Sequence, residues 1–114
     1  MTTFDEREQA FERRFVQDEE QRFRARFRRN LLLATWASER MGLGKDAAAR
    51  FVEDFTDRGV LIADEPLVAE LQADLKATGV EETLPALRTE MERCAAIARA
   101  EQRVGLALDQ GRPV

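Results

Sequence analysis

The chain has 114 residues, which suits a single domain, and its net charge of −4 argues against nucleic acid or anionic lipid as a default partner. It contains no histidine and one cysteine, Cys94, which removes the commonest general base and zinc ligand and excludes an internal disulfide. No signal peptide and no apolar run of membrane-spanning length is visible, so we expect a soluble, cytosolic protein without membrane insertion.

The first predicted element is one long helix over residues 3–41. Thr3 is its expected N-cap, because Glu6 follows three residues later in a capping-box pattern. Gly42 suits the left-handed position that ends many helices. Neither glycine nor proline interrupts the span between these two ends.

Three shorter helices follow, and their predicted ranges are 46–58, 65–78 and 83–108. Asp46 is the expected N-cap of the second, Asp64 opens the third, and Thr83 caps the fourth. Apolar residues recur at helical spacing on each, whereas residues 60–62 read as an apolar connector pressed on the core. The predicted fold is all-α: an antiparallel four-helix bundle with a long first helix and a projecting or mobile N-terminal segment.

The lengths of the predicted helices do not match. At about 1.5 Å per residue the first helix is roughly 57 Å long, the second and third roughly 20 Å, and the fourth roughly 37 Å. The first 15 to 20 residues should therefore project beyond the bundle or fold back and fray. We divide the chain into an N-terminal segment at 1–20, a bundle at 21–108 and a frayed tail at 109–114.

A helical wheel separates the aromatic residues of the first helix into two clusters. At about 100° per residue, Phe4, Phe11 and Phe15 lie within roughly 40° of one another. The second cluster is centred roughly 130° away by the same count and contains Phe23, Phe27, Leu31 and Met41. We interpret this change of phase as two different faces. The first cluster then docks into a groove of another protein, joins the core through a kink near Asp18, or forms a homodimeric coiled coil.

No motif supports catalysis. The arginines between residues 22 and 29 point in several directions on a helix and pair with nearby acids, for example Asp18–Arg22 and Glu20–Arg24, so nucleic-acid binding is not expected. The GxGK pattern at 42–45 lacks the remainder of a phosphate loop. Cys94 lies on an apolar face without an activating histidine and is predicted to be an inert core thiol.

The sequence resembles the zeta subunit of the alphaproteobacterial F-type ATP synthase along essentially its whole length. The residues that carry the resemblance are FDxRExAFE at 4–12, FxxDEE at 15–20, FxAxxRRNxLLxxWA at 23–37, MG at 41–42 and, more loosely, ADLxAxGV at 73–80. The resemblance implies a four-helix bundle that is not an enzyme. Its mobile N-terminal segment inhibits ATP hydrolysis by inserting a helix at a catalytic α/β interface near the central stalk.

By resemblance, the partner-binding residues would be Phe4, Asp5, Arg7, Glu8, Phe11, Glu12 and Phe15. The partners implied are the α, β and central-stalk subunits, with the free chain a monomer. No cofactor is required, although weak ATP or ADP binding is associated with the family. Family members often have histidine where this chain has Gln17, so pH sensing through that position would be lost. The alternatives are a small nucleotide-binding or stress-regulatory helical module and a homo-oligomeric adaptor.

Overall fold

The computed structural model describes residues 3–109, which form four α-helices and, within that range, no strand. The helices are α1 at Phe4–Met41, α2 at Lys45–Gly59, α3 at Asp64–Ala77 and α4 at Leu84–Asp109. The predicted all-α bundle is confirmed. Residues 1–2 of the predicted N-terminal segment and 110–114 of the predicted tail lie outside the described residues.

The two ends of α1 are fixed as the sequence predicts. The Thr3 hydroxyl accepts a hydrogen bond from the Glu6 backbone N–H, and the Glu6 carboxylate accepts one from the Thr3 N–H, both at 3.2 Å. Gly42 ends the helix with φ +69°, a left-handed conformation that glycine adopts without steric cost. Between these caps α1 is one uninterrupted helix. The alternative in which a kink near Asp18 brings Phe4, Phe11 and Phe15 into the core is wrong, because all three are exposed.

The starts of α2 and α3 differ from their prediction. Gly44, not Asp46, is the N-cap of α2, and no side chain caps that helix. Ala63 is the N-cap of α3, so Asp64 is the first helical residue and its carboxylate is free for another role. The fourth start is confirmed, because the Thr83 hydroxyl accepts a hydrogen bond from the Ala86 N–H at 3.1 Å.

Helix α1 contacts all three other helices, and its ion pairs with the segment from Glu82 to the end of α4 show how these two helices are oriented. Near its C-terminal end Arg40 pairs with Glu82, just before α4 begins. Near its middle Arg28 pairs with Glu101, close to the end of α4. The contacts follow one another in opposite order along the two helices, so α1 and α4 are antiparallel. Helix α3 packs mainly against α4, where Arg88 binds Glu65.

The core lies around the C-terminal half of α1. Its buried apolar residues are Leu33, Ala34, Ala37, Phe55, Leu67, Val68, Leu71, Leu75, Leu87, Met91, Cys94 and Ala98. Trp36, predicted to be a core residue, only packs against the core from its edge and stacks with Arg40. The connector at 60–62 is pressed on the core through Ile62 alone, because Leu61 is 89% exposed.

The molecule is elongated because α1 is longer than the bundle that covers it. The radius of gyration is 18.0 Å, compared with about 13 Å for a compact chain of this length. The longest dimension is 65 Å and the other two are 31 and 26 Å. The mismatch in helix lengths that the sequence predicts is therefore present in the structure.

Candidate partner-binding surface

The N-terminal part of α1 stands outside the bundle. Every residue from Thr3 to Glu20 is exposed. The three aromatic side chains of the first cluster are 78% exposed at Phe4, 71% at Phe11 and 57% at Phe15. A surface that exposes several large apolar side chains in one line is typical of a binding site. We call these three residues the aromatic stripe.

Contact with the bundle begins at Gln21, the first half-buried residue of α1. Its backbone carbonyl accepts a hydrogen bond of 2.7 Å from the Gln102 side chain of α4. Farther along, Arg28 forms two hydrogen bonds with the Glu101 carboxylate, at 2.8 and 3.3 Å. The pair lowers the pKa of Glu101, chiefly through these hydrogen bonds. The bundle therefore packs on α1 only as far as the last turns of α4 reach.

The buried side of α1 is broad, and it includes the directions of both aromatic clusters. Phe23 and Phe27, which belong to the second cluster, are themselves 53% and 41% exposed and do not form the core face. The residues of α1 that are buried include Arg29 and Leu33. At about 100° per residue these two lie within roughly 40° of the aromatic stripe. The stripe therefore continues one edge of the buried side of α1 beyond the end of the bundle. The other buried residues lie about 60–160° from the centre of the stripe and are Asn30, Ala34, Ala37 and Ser38.

The charged residues that the resemblance assigns to the site are all on this exposed segment. Asp5, Arg7, Glu8 and Glu12 form no ion pair with any residue that the structure describes. The predicted pairing of Arg22 with Asp18 is also wrong, because Arg22 binds Glu19 at 2.6 Å instead. The charges around the aromatic stripe are thus available to a partner.

A polar group that no sequence pattern indicates holds the middle of α1 against the α2–α3 connection. Arg29 is buried and donates to both carboxylate oxygens of Asp64, at 2.9 and 3.1 Å. It also donates to the side-chain carbonyl of Asn30, which is itself buried against Gly59. Arg26 adds a hydrogen bond to the Ile62 carbonyl. Polar residues on a helix usually indicate its solvent face, which conceals such an arrangement.

The displaced pKa values in the described chain belong to one buried thiol and to side chains in ion pairs. Cys94 is fully buried, and burial raises the pKa of its thiol, as expected for an inert thiol. Hydrogen bonds from arginine lower the pKa values of the Asp64 and Glu101 carboxyl groups. A general acid needs the opposite, a raised pKa. Residues 3–109 hold no group of three or more acidic or cysteine side chains arranged for a metal. None of the four helices, as far as they are described, has the length and apolarity to cross a membrane.

The comparisons with known proteins agree with the resemblance on one point. Residues 1–101 match a family model described as ATPase inhibitor subunit zeta. That match covers the aromatic stripe and most of the bundle. No curated protein and no solved structure matches the chain.

Proposed function

The chain belongs to the family of the ATPase inhibitor subunit zeta, and from this membership we propose how it inhibits. An ATPase inhibitor role and an interaction with ATP synthase follow from the family. In our proposal the exposed N-terminal part of α1 inserts at a catalytic α/β interface of the F-type enzyme, near its central stalk. The bundle remains outside as a rigid body that holds the helix.

The observation that carries this proposal is the aromatic stripe on a preformed helix outside the bundle. Burial of a phenylalanine side chain contributes about 1.5–3 kcal/mol, so three of them supply a large share of a specific binding energy. The capping box at Thr3 and Glu6 already fixes the first turn. Ordering this segment on binding therefore costs less free energy than ordering an unfolded peptide would.

A helix at such an interface acts by restricting motion. Many enzymes turn over only if subunits or lids open and close around the site. Apolar contacts from the stripe to both sides of an interface would hold the two sides at one separation. The chain would thus stop hydrolysis without contributing a catalytic residue.

The test is inhibition of ATP hydrolysis by the cognate ATPase. The intact chain should inhibit, and a chain lacking residues 1–18 should not. Because residues 3–20 lie outside the core, the truncated bundle should still unfold cooperatively at nearly the same urea concentration. Absence of inhibition by the intact chain, or equal inhibition by the truncated one, would refute the proposal.

A further inference from the structure

The aromatic stripe has two edges of opposite charge. On one edge Arg7 and Arg14 lie about two turns apart, about 70° from the centre of the stripe. On the other edge Asp5 and Glu12 have the same spacing, about 90° away in the opposite sense. All four side chains are exposed, and none has an ion pair among residues 3–109. Alongside the stripe itself, over residues 4–15, these charges are therefore sorted by side. The acidic Asp18, which lies on the basic side about 40° from the stripe centre, follows only after Phe15.

The bundle itself shows what meets one of these edges. The line of Arg7 and Arg14 continues, at the same spacing of about two turns, through Gln21 to Arg28. Arg28 binds the carboxylate of Glu101 on α4, and the backbone carbonyl of Gln21 accepts a hydrogen bond from the Gln102 side chain on the same helix. Within its own fold, the basic edge of α1 thus faces a neighbouring helix that supplies a carboxylate.

The opposite edge continues differently. The line of Asp5 and Glu12 passes through Glu19, which is already paired with Arg22, to Arg26. Arg26 turns towards the α2–α3 connection, where it lies 3.6 Å from the Asp64 carboxylate. The sign of the charge on this edge therefore reverses at the bundle. Outside the bundle the edge presents carboxylates, which need basic groups opposite them.

From this arrangement we propose that the stripe fits a protein groove with an apolar floor and two differently charged walls. The wall beside Arg7 and Arg14 carries carboxylates, in the position that Glu101 takes beside Arg28. The wall beside Asp5 and Glu12 carries lysine or arginine side chains. This inference rests on the proposed function and specifies the chemistry of the ATPase groove. Opposite edges also fix which way round the helix is inserted, because a reversed helix would place like charges together.

The test exchanges the charges of the two edges without changing the net charge. The variant Glu12→Lys/Arg14→Glu reverses one residue on each edge. The matched control Arg13→Glu/Glu20→Lys makes the same exchange on the opposite side of the helix, about 170° from the stripe. All four positions are exposed and none has an ion pair among the described residues, so both variants should fold like the parent.

We expect the edge variant to need at least about tenfold more protein for half-maximal inhibition of ATP hydrolysis, and the control within about twofold of the parent. The difference should shrink as salt is added, since exposed charges are screened. If the parent inhibits and both variants inhibit equally well, the charged walls are refuted while the proposed function stands. If the parent does not inhibit, the proposed function itself fails.

A second copy of the chain is the other occupant to exclude. Sedimentation of the parent at high concentration should show a monomer. A dimer that the edge variant dissociates and the control does not would assign the stripe to self-association and overturn the inference. Carbodiimide coupling gives a direct reading, because it joins adjacent carboxylates and amines. Where this wall supplies a lysine, Glu12 should couple to it and Glu20 should not, since a guanidinium group does not react. Coupling of both equally would contradict a basic wall at the acidic edge.

Discussion

Phe15 and Leu33 lie on the same side of α1, about five helical turns apart, yet Phe15 is 57% exposed and Leu33 is completely buried. The helix is continuous between them, and both side chains leave it in the same direction. Only the reach of the other helices decides which part of that side is core. The exposed part is therefore available to another protein without any rearrangement of the bundle.

This relationship predicts very different effects of truncating the two side chains. Leu33→Ala should lower the free energy of unfolding by about 2–5 kcal/mol, because it leaves a cavity among close-packed residues. Phe15→Ala should change it by less than about 0.5 kcal/mol, because an exposed side chain loses little burial. Urea unfolding followed by circular dichroism measures both. A large loss of stability in Phe15→Ala would show that the stripe packs on the bundle.

The contact between Asn30 and Gly59 predicts a pair of glycine substitutions with opposite signs. A Cβ at Gly59 would lie 2.4 Å from the Asn30 side-chain nitrogen, and Asn30 is held in place by Arg29. Gly59→Ala should destabilise by about 1–3 kcal/mol through this clash. Gly105→Ala, inside α4 with open space around it, should stabilise by about 0.5–1 kcal/mol.

Thermal unfolding compares these two variants. Melting temperatures that shift in opposite directions would agree with the structure. A neutral Gly59→Ala would mean that Asn30 is free to move away, and that the polar group around Arg29 does not fix the α2–α3 connection.

The pair between Arg29 and Asp64 predicts a loss of stability in acid. Hydrogen bonds from Arg29 hold the pKa of Asp64 below its ordinary value. Because the folded-state pKa is the lower one, the stabilisation is present above the unfolded-state pKa of about 4 and is lost as pH falls through the folded value. Asp64 is about half exposed, so the contribution should be no more than about 1 kcal/mol.

The variant Asp64→Asn checks the origin of this pH dependence. It should be less stable than the parent at pH 7, and the difference should narrow as pH falls below about 4 and through the lowered pKa of Asp64. Glu65→Gln is the control, because Glu65 makes only an exposed pair with Arg88. A difference from the parent that does not depend on pH would contradict the role of the Asp64 charge.

Weak binding of ATP or ADP by the bundle stays a prediction. Titration with millimolar nucleotide, followed by backbone amide NMR shifts, tests it. Shifts confined to the bundle are expected if the prediction is right. Flat shifts throughout would refute it and would leave inhibition by the stripe unaffected.

The sequence predicts most of this fold because its signals are local. Thr3 with Glu6, Gly42 and Thr83 determine helix ends through contacts within a few residues, and each is found as expected. Spacing of apolar residues likewise finds the inner faces of α3 and α4. Asp46 fails as a cap because α2 starts one residue earlier, at Lys45, after Gly44.

The site is less predictable because its features are long-range. The wheel places Phe23 and Phe27 together, but only the positions of α2 and α4 determine that both remain largely exposed. The burial of Arg29 depends on Asp64, which is distant in sequence and comes close only when α3 folds against α1. The meaning of the charged edges of the stripe depends on the packing of α4, because only the structure places Arg28 beside Glu101.

The most direct test of the central claim compares phenylalanines of α1 that point in different directions from the helix axis. Phe11→Ala and Phe15→Ala remove side chains from the stripe, whereas Phe23→Ala removes one that is 53% exposed but lies off it. With the cognate ATPase, each stripe variant should need at least about tenfold more protein for half-maximal inhibition of ATP hydrolysis, as expected for a central aromatic contact, and Phe23→Ala should inhibit like the parent. Full inhibition by both stripe variants, or an equal loss in Phe23→Ala, would contradict insertion through the aromatic stripe.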